Sequence, residues 1–294
     1  MRGFKTTVPL CHIAILAAAA IWLQHRLLAA AETDDAIQIK RWQALYRKRA
    51  EALEVAEQRK EGPQKLTLVR NPLQALSNSV RPDQVHGTVH LWTADGRPRM
   101  IGSVWSALDQ NNRAQRNLCY EFHSLSEFPL TASLNNNVLW RPKDAGIEWL
   151  SIKDSPVPAK TRPLRLTQMR QQMAEIRAEL DTQESELRLL PQPVYRYPEN
   201  MDGVIDGAIF SYVMGTDPEV FVLLEVRMPT VGTEPTWLLA PVRFTGSGIT
   251  LKRGDMVLWK SPVWENFARD KIYDFLYGVE HLEAEQPAVD EAKK

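Results

Sequence analysis

The chain has 294 residues, 36 basic side chains against 36 acidic ones, and 44% hydrophobic residues. Charge balance of this kind argues against a general nucleic-acid binder, which needs a basic excess to neutralise phosphates. The two cysteines, Cys11 and Cys119, exclude a disulfide-stapled scaffold, so stability has to come from a packed core.

In chain order, a short basic start at Arg2 and Lys5 precedes a mostly apolar run from Val8 to Leu23, and alanines occupy the small-residue positions before Glu32. This pattern predicts a secretory signal peptide over 1–31, and an exported, periplasmic or extracellular protein. The alternative is an uncleaved N-terminal membrane anchor, although the run is short of the ~20 residues that span a bilayer. Removing 31 residues from 294 leaves 263, with Cys119 as the single remaining cysteine.

Thr33-Asp34-Asp35 resembles a helix start and Gly62-Pro63 a stop, with Ile39, Trp42, Tyr46, Leu53 and Ala56 near helical spacing between them. An N-terminal amphipathic helix is therefore predicted over 32–63. From Leu66 the period changes to that of strands. Leu66–Arg70, Val85–Thr93, Met100–Trp105 and Leu118–Leu125 read as β-runs, with Asp95-Gly96 and Asn135–Asn137 as turns. Ile147–Ile152 is expected to close that sheet, giving a first β-rich repeat over 64–155. Pro156, Pro158 and Pro163 mark a linker, followed by a second helix on the stripe Leu166, Met169, Met173, Ile176 and Leu180, together 156–186.

A second β-rich repeat is predicted over 187–280, because three segments recur in order. Leu66–Leu73 resembles Leu187–Val194, His86–Pro98 resembles Asp206–Pro218, and Val138–Trp140 resembles Val257–Trp259. The expected class is α+β: a duplicated unit of one helix and an antiparallel β-meander, the copies related by a pseudo-two-fold axis. Trp264–Gly278 is expected to pack on the second half, and the charged stretch 281–294 to be a disordered tail.

Tyr120–Ser126, Glu186–Tyr197 and Asp206–Glu219 make the chain similar to a group of exported planctomycete proteins of unknown function. The resemblance runs from about Leu66 to Trp264. It implies export, and brings no activity with it.

Three sets of residues are candidates for function. His86, Glu121 and His123 are of the types that ligate zinc or copper, but a regular strand sets His86 and His90 about 13 Å apart, and the structural reading is packed histidines. The same first-half residues suggest a metal-assisted or acid–base hydrolase, against which stands the absence of a Gly-x-Ser-x-Gly elbow. Neither a Walker A sequence nor Gly-x-Gly-x-x-Gly occurs, so no nucleotide cofactor is expected. Trp149 and Trp264 are candidate surface aromatics for a glycan or peptide, whereas Trp140 and Trp259 recur at equivalent places and read as core. The expectation is a non-enzymatic envelope binding or structural module without a cofactor, zinc being the alternative. Its partner would be an envelope protein or glycan, with no nucleic acid, and a membrane only if the N-terminal segment is retained.

Overall fold

The computed structural model describes residues 38–78, 84–181, 185–199, 201, 203–229 and 234–284. The predicted signal peptide, the Thr33–Asp35 helix start and the tail beyond residue 284 lie outside them. No helix among the described residues is long and apolar enough to cross a membrane.

The first helix, α1, occupies 38–51 and buries Trp42, Leu45, Tyr46 and Ala50. It does not continue to residue 63. Leu53, Val55 and Glu57 are buried in alternation, and Gly62, at φ +116°, turns a hairpin instead of capping a helix. The second helix, α2 (Arg162–Ala174), ends early for the same reason: Ile176, Ala178 and Leu180 are the inward side of a strand. Apolar residues four apart satisfy both a helical stripe and one face of a strand, so the spacing alone could not place either boundary.

The first half holds β1 (Leu53–Arg59), β2 (Gly62–Lys65), β3 (Thr67–Leu68), β4 (Gln74–Asn78), β5 (Val85–Ala94), β6 (Arg97–Leu108), β7 (Gln115–Ser124), β8 (Leu130–Leu134) and β9 (Asn137–Trp140). After these come β10 (Leu150–Ser151), α2 and β11 (Ile176–Leu180), then β12 (Ser185–Glu186), β13 (Arg188–Leu189) and β14 (Tyr195–Arg196). The chain goes on through β15 (Val204–Met214), β16 (Asp217–Arg227), β17 (Thr236–Arg243), β18 (Ile249–Arg253), β19 (Met256–Ser261) and β20 (Tyr273–Glu283).

These strands form four antiparallel sheets. Among the described residues strands account for 53% and helix for 12%, which overturns the expected α+β class and the unit of one helix and one meander. The fold is mostly β. Each run of strands divides between two sheets, because the hydrophobic faces of long strands such as β5 and β6 need cover on both sides.

The four-stranded order β2-β1-β8-β9 is matched by β12-β11-β18-β19, and the six-stranded order β20-β7-β6-β5-β3 by β10-β17-β16-β15-β13. The sixth members, β4 and β14, pair with β5 and β15. Edge strands are exchanged between the halves. Leu150 and Ser151 of β10 pair with Leu239 and Leu238 of β17 rather than closing the first-half sheet, while Tyr273 of β20 pairs with His123 of β7. The segment after Trp264 therefore completes the first half, and His281, expected in a tail, lies in β20 opposite Asn117.

Between the six-stranded sheets, Val89, Leu91 and Ile101 pack in one core with Ile209, Phe221 and Leu223. Outside them, α1 and the first four-stranded sheet close over Trp92, Phe122 and Trp140, and α2 with the other four-stranded sheet closes over Phe210 and Tyr212. Trp140 is fully buried and Trp259 half-buried, at matching register positions next to a bulge in β8–β9 and β18–β19. The predicted turns hold: Asp95 (φ +50°) with Gly96 (φ +82°), and Asn135 (φ +50°) with Asn136 (φ +63°), give the left-handed pair that a two-residue hairpin requires.

Each of the β5–β6 and β15–β16 hairpin tips docks on the opposite half. Tyr195 Oη donates to the Gly96 carbonyl at 2.8 Å, and Ser77 N donates to Thr216 Oγ1 at 2.8 Å. A Cβ on Gly96 would meet Pro198 Cγ at 2.2 Å, whereas one on Gly215, at φ +64°, would meet nothing within 4 Å. Gly96→Ala is therefore expected to cost about 2–4 kcal/mol, from backbone strain plus overpacking, and Gly215→Ala only about 1 kcal/mol. Equilibrium urea unfolding of the two variants checks this, and equal losses would contradict the docking.

Candidate functional site

Alternation along β5 sends Val85, Val89 and Leu91 into the central core, and His86, His90 and Trp92 to the opposite face, beneath α1. There the Tyr46 hydroxyl lies 2.7 Å from His86 Nδ1 and 2.6 Å from Ser106 Oγ. Arg116 donates from Nε to Ser106 Oγ at 2.8 Å, and from Nη2 to the carbonyls of Ser106 at 2.9 Å and Gln84 at 2.5 Å. Its guanidinium lies 5.4 Å over the Trp42 ring, whose centroid is 5.2 Å from that of His86.

Burial and the neighbouring Arg116 charge lower the His86 pKa to about 3, and burial raises the Tyr46 phenol despite its bonded neighbours. Both groups stay neutral throughout the physiological range. They can donate and accept hydrogen bonds, but neither has a pKa near working pH, as an efficient proton-transfer group would.

This network forms one wall of a cavity of about 610 Å³, bounded by Ile39, Trp42 and Tyr46 of α1, Ala75 to Ser77 of β4, Val85 to Gly87 of β5, and Thr216 from the other half. Among the described residues, no acidic side chain lines it.

The matching place in the second half is filled. Ala75 pairs with Thr88 and Arg196 with Ala208, so Ala75 corresponds to Arg196 and His86 to Asp206. Trp42 and Arg165 stand the same number of residues ahead of β1 and β11, and so do Ile39 and Arg162. Asp206, buried at 3% exposure, accepts from Arg165 Nε at 2.9 Å and Arg196 Nε at 2.9 Å, with Arg162 Nε at 3.8 Å. Tyr197 covers Gly207 so closely that an added Cβ would sit 2.5 Å from its ring. Where the first half has an open cavity with one guanidinium in its wall, the second has three guanidinium groups around a carboxylate.

The sequence-predicted residues do not converge. His86 faces α1, whereas Glu121 and His123 share the other face of the sheet, since Leu118, Tyr120 and Phe122 of β7 belong to the outer core. Glu121 accepts from Tyr273 Oη at 2.6 Å and Ser103 Oγ at 3.1 Å. Burial pushes its pKa up to about 8, with Asp217 and Glu219 adding to the rise. His123 donates from Nδ1 to the Ser124 carbonyl at 2.8 Å, and burial lowers its pKa to about 4. Among the described residues no three His, Cys, Asp or Glu side chains are grouped as metal ligands would be.

Trp149 and Trp264, expected as open surface platforms, are both half-buried. The Arg227 guanidinium covers Trp149 at 4.0 Å and that of Arg243 covers Trp264 at 4.9 Å. Cys119 is buried. Sequence reasoning missed Tyr46, Ser106 and Arg116. The one available signal was the arginine, two residues before the predicted Leu118–Leu125 run, and it is 4% exposed in β7. No protein-family model, curated protein or solved structure matches the chain.

Proposed function

We propose that the protein is a non-enzymatic binding module whose ligand site is the first-half cavity, between α1 and the β4–β5 edge. The observation that carries this reading is the contrast between the halves: one fold position is open at about 610 Å³ in the first and closed by the Asp206 ion cluster in the second. The volume falls within the range typical of small-molecule sites, and its apolar walls with a few convergent polar groups are the usual composition of one. The neutrality of His86 and Tyr46 supports binding over proton transfer. The hydrolase reading gains nothing from the geometry, since Glu121 and His123 lie across the sheet from His86.

Export to the periplasm or cell exterior, where an envelope partner or glycan would be met, completes the proposal; it rests on the N-terminal signal pattern and the planctomycete resemblance. Descent of the two halves from one duplicated mostly-β unit is supported by the matched strand orders.

The test uses Nile red, a neutral apolar fluorophore, and an Ala75→Trp variant. Ala75 is exposed on the cavity side of β4, so the larger ring fills space without entering the core. Saturable fluorescence enhancement is expected for the native protein, weakened at least tenfold in the variant at unchanged unfolding temperature. Equal binding by both would place the dye elsewhere and remove the support for this site.

A further inference from the structure

The cavity's polar inventory narrows the ligand. The described lining, free of acidic side chains, offers a cationic ligand no counter-charge. Arg116, the one arginine or lysine among the described lining residues, directs Nε and Nη2 into the wall, toward Ser106 and Gln84. Its charge also helps keep His86 neutral. Of the other polar side chains there, the Gln38, Gln43 and Gln84 amides are uncharged and can both donate and accept, whereas the Ser77 and Thr216 hydroxyls bond each other at 3.1 Å and Thr216 Oγ1 donates to the Ser77 carbonyl at 2.7 Å. That dual pattern is what a hydroxyl group presents. Against it stand the Trp42 and Tyr46 rings with Leu76 and Ile39, an apolar wall of the kind that takes the C–H face of a sugar ring.

The filled counterpart points the same way. Arg162, Arg165, Arg196 and Asp206 would have served an ionic ligand, and at the corresponding positions the open half carries Ile39, Trp42, Ala75 and His86, none of them charged at neutral pH.

We infer that the first-half cavity binds an uncharged saccharide, its hydroxyls bonded to the Gln43 and Gln84 amides and its ring laid against the aromatic wall. This rests on the binding-module reading above. An uncharged peptide segment is the competing ligand class.

The experiment titrates the full chain by isothermal calorimetry with chitobiose, cellobiose, laminaribiose and mannobiose, and with N-acetyl-trialanine amide, with Nile red binding measured in parallel. At least one disaccharide is expected to bind saturably. Gln43→Ala and Gln84→Ala should each weaken it about fivefold, the worth of one hydrogen bond, and leave Nile red affinity within twofold. Ala75→Trp should weaken both at least tenfold. Nile red bound at the cavity with no disaccharide bound, or with only the peptide bound, overturns the saccharide assignment and leaves the cavity as a binding site. Failure of Nile red to distinguish the native chain from Ala75→Trp overturns the site itself.

Discussion

Acidification from pH 6.5 to 4.5 is expected to cost about 5 kcal/mol of folding stability, a large part of the 5–15 kcal/mol that holds a typical protein folded. Two buried histidines, His90 and His123, and the half-buried His86 cause it. Burial lowers the pKa of His86 to about 3 and those of His90 and His123 to about 4. Below the ordinary value of 6.5 the unfolded chain takes up protons that these native imidazoles refuse. Each histidine therefore removes about 1.4 kcal/mol per pH unit as pH falls from 6.5 toward its folded pKa.

Glu121 acts in the opposite sense. With its folded pKa raised to about 8, the native state keeps a proton that the unfolded state releases above 4.5, so this group destabilises the fold as pH rises from 4.5 to 8. Its side chain is only partly buried, and it offsets no more than one of the histidines. Three against one gives a stability maximum near pH 6.5, with a steep acid side and a shallow alkaline one. Urea unfolding at half-unit intervals measures the curve. His123→Gln should flatten the acid side by nearly half and Glu121→Gln should remove the alkaline decline. A profile level from pH 4.5 to 6.5 would show that the histidines are not buried as described.

The second large effect is expected at Asp206. Replacing it with alanine leaves Arg165, whose side chain is 10% exposed, without its carboxylate beside Arg196 and Arg162. Removing one partner of a buried ion pair costs about 3–5 kcal/mol, because the remaining charge stays desolvated. His86→Ala, at the corresponding place in the first half, leaves no buried ion and should cost about 1–2 kcal/mol, chiefly the lost bond to Tyr46. Adding Arg165→Met to Asp206→Ala should restore part of the loss by taking away the stranded charge. If the double variant is no more stable than Asp206→Ala, the cost lies in packing rather than electrostatics.

Much of the local structure was legible. Asp95-Gly96 and Asn135–Asn137 announced their hairpins because few residues accept positive φ at little cost, and alternation placed β5, β6 and β7 within a few residues. It also placed His86 with His90, and Glu121 with His123, on shared faces of their own strands. It did not say that the two pairs look in opposite directions, because alternation is internal to a strand. The pairings His86 with Ser106 and Glu121 with Ser103 decide that relation, and both depend on how β5, β6 and β7 are registered. The candidate metal set failed at that step.

The helix ends failed for a different reason. Leu53 and Ala56 continue the α1 stripe, and Ile176 and Leu180 continue that of α2, as convincingly as they begin a strand. Only β8 and β18, arriving from far along the chain, supply the partners that pull β1 and β11 into sheets.

By itself the sequence determined the turns, the alternating strands and the matched segments in the two halves, since these depend on neighbouring residues. Tertiary structure alone decided which sheet each edge strand joins, which face of β5 meets α1, and that three arginines close one half while the other stays open. Those outcomes come from contacts between residues far apart in the chain, and hydrophobic burial selects among them without leaving a local pattern.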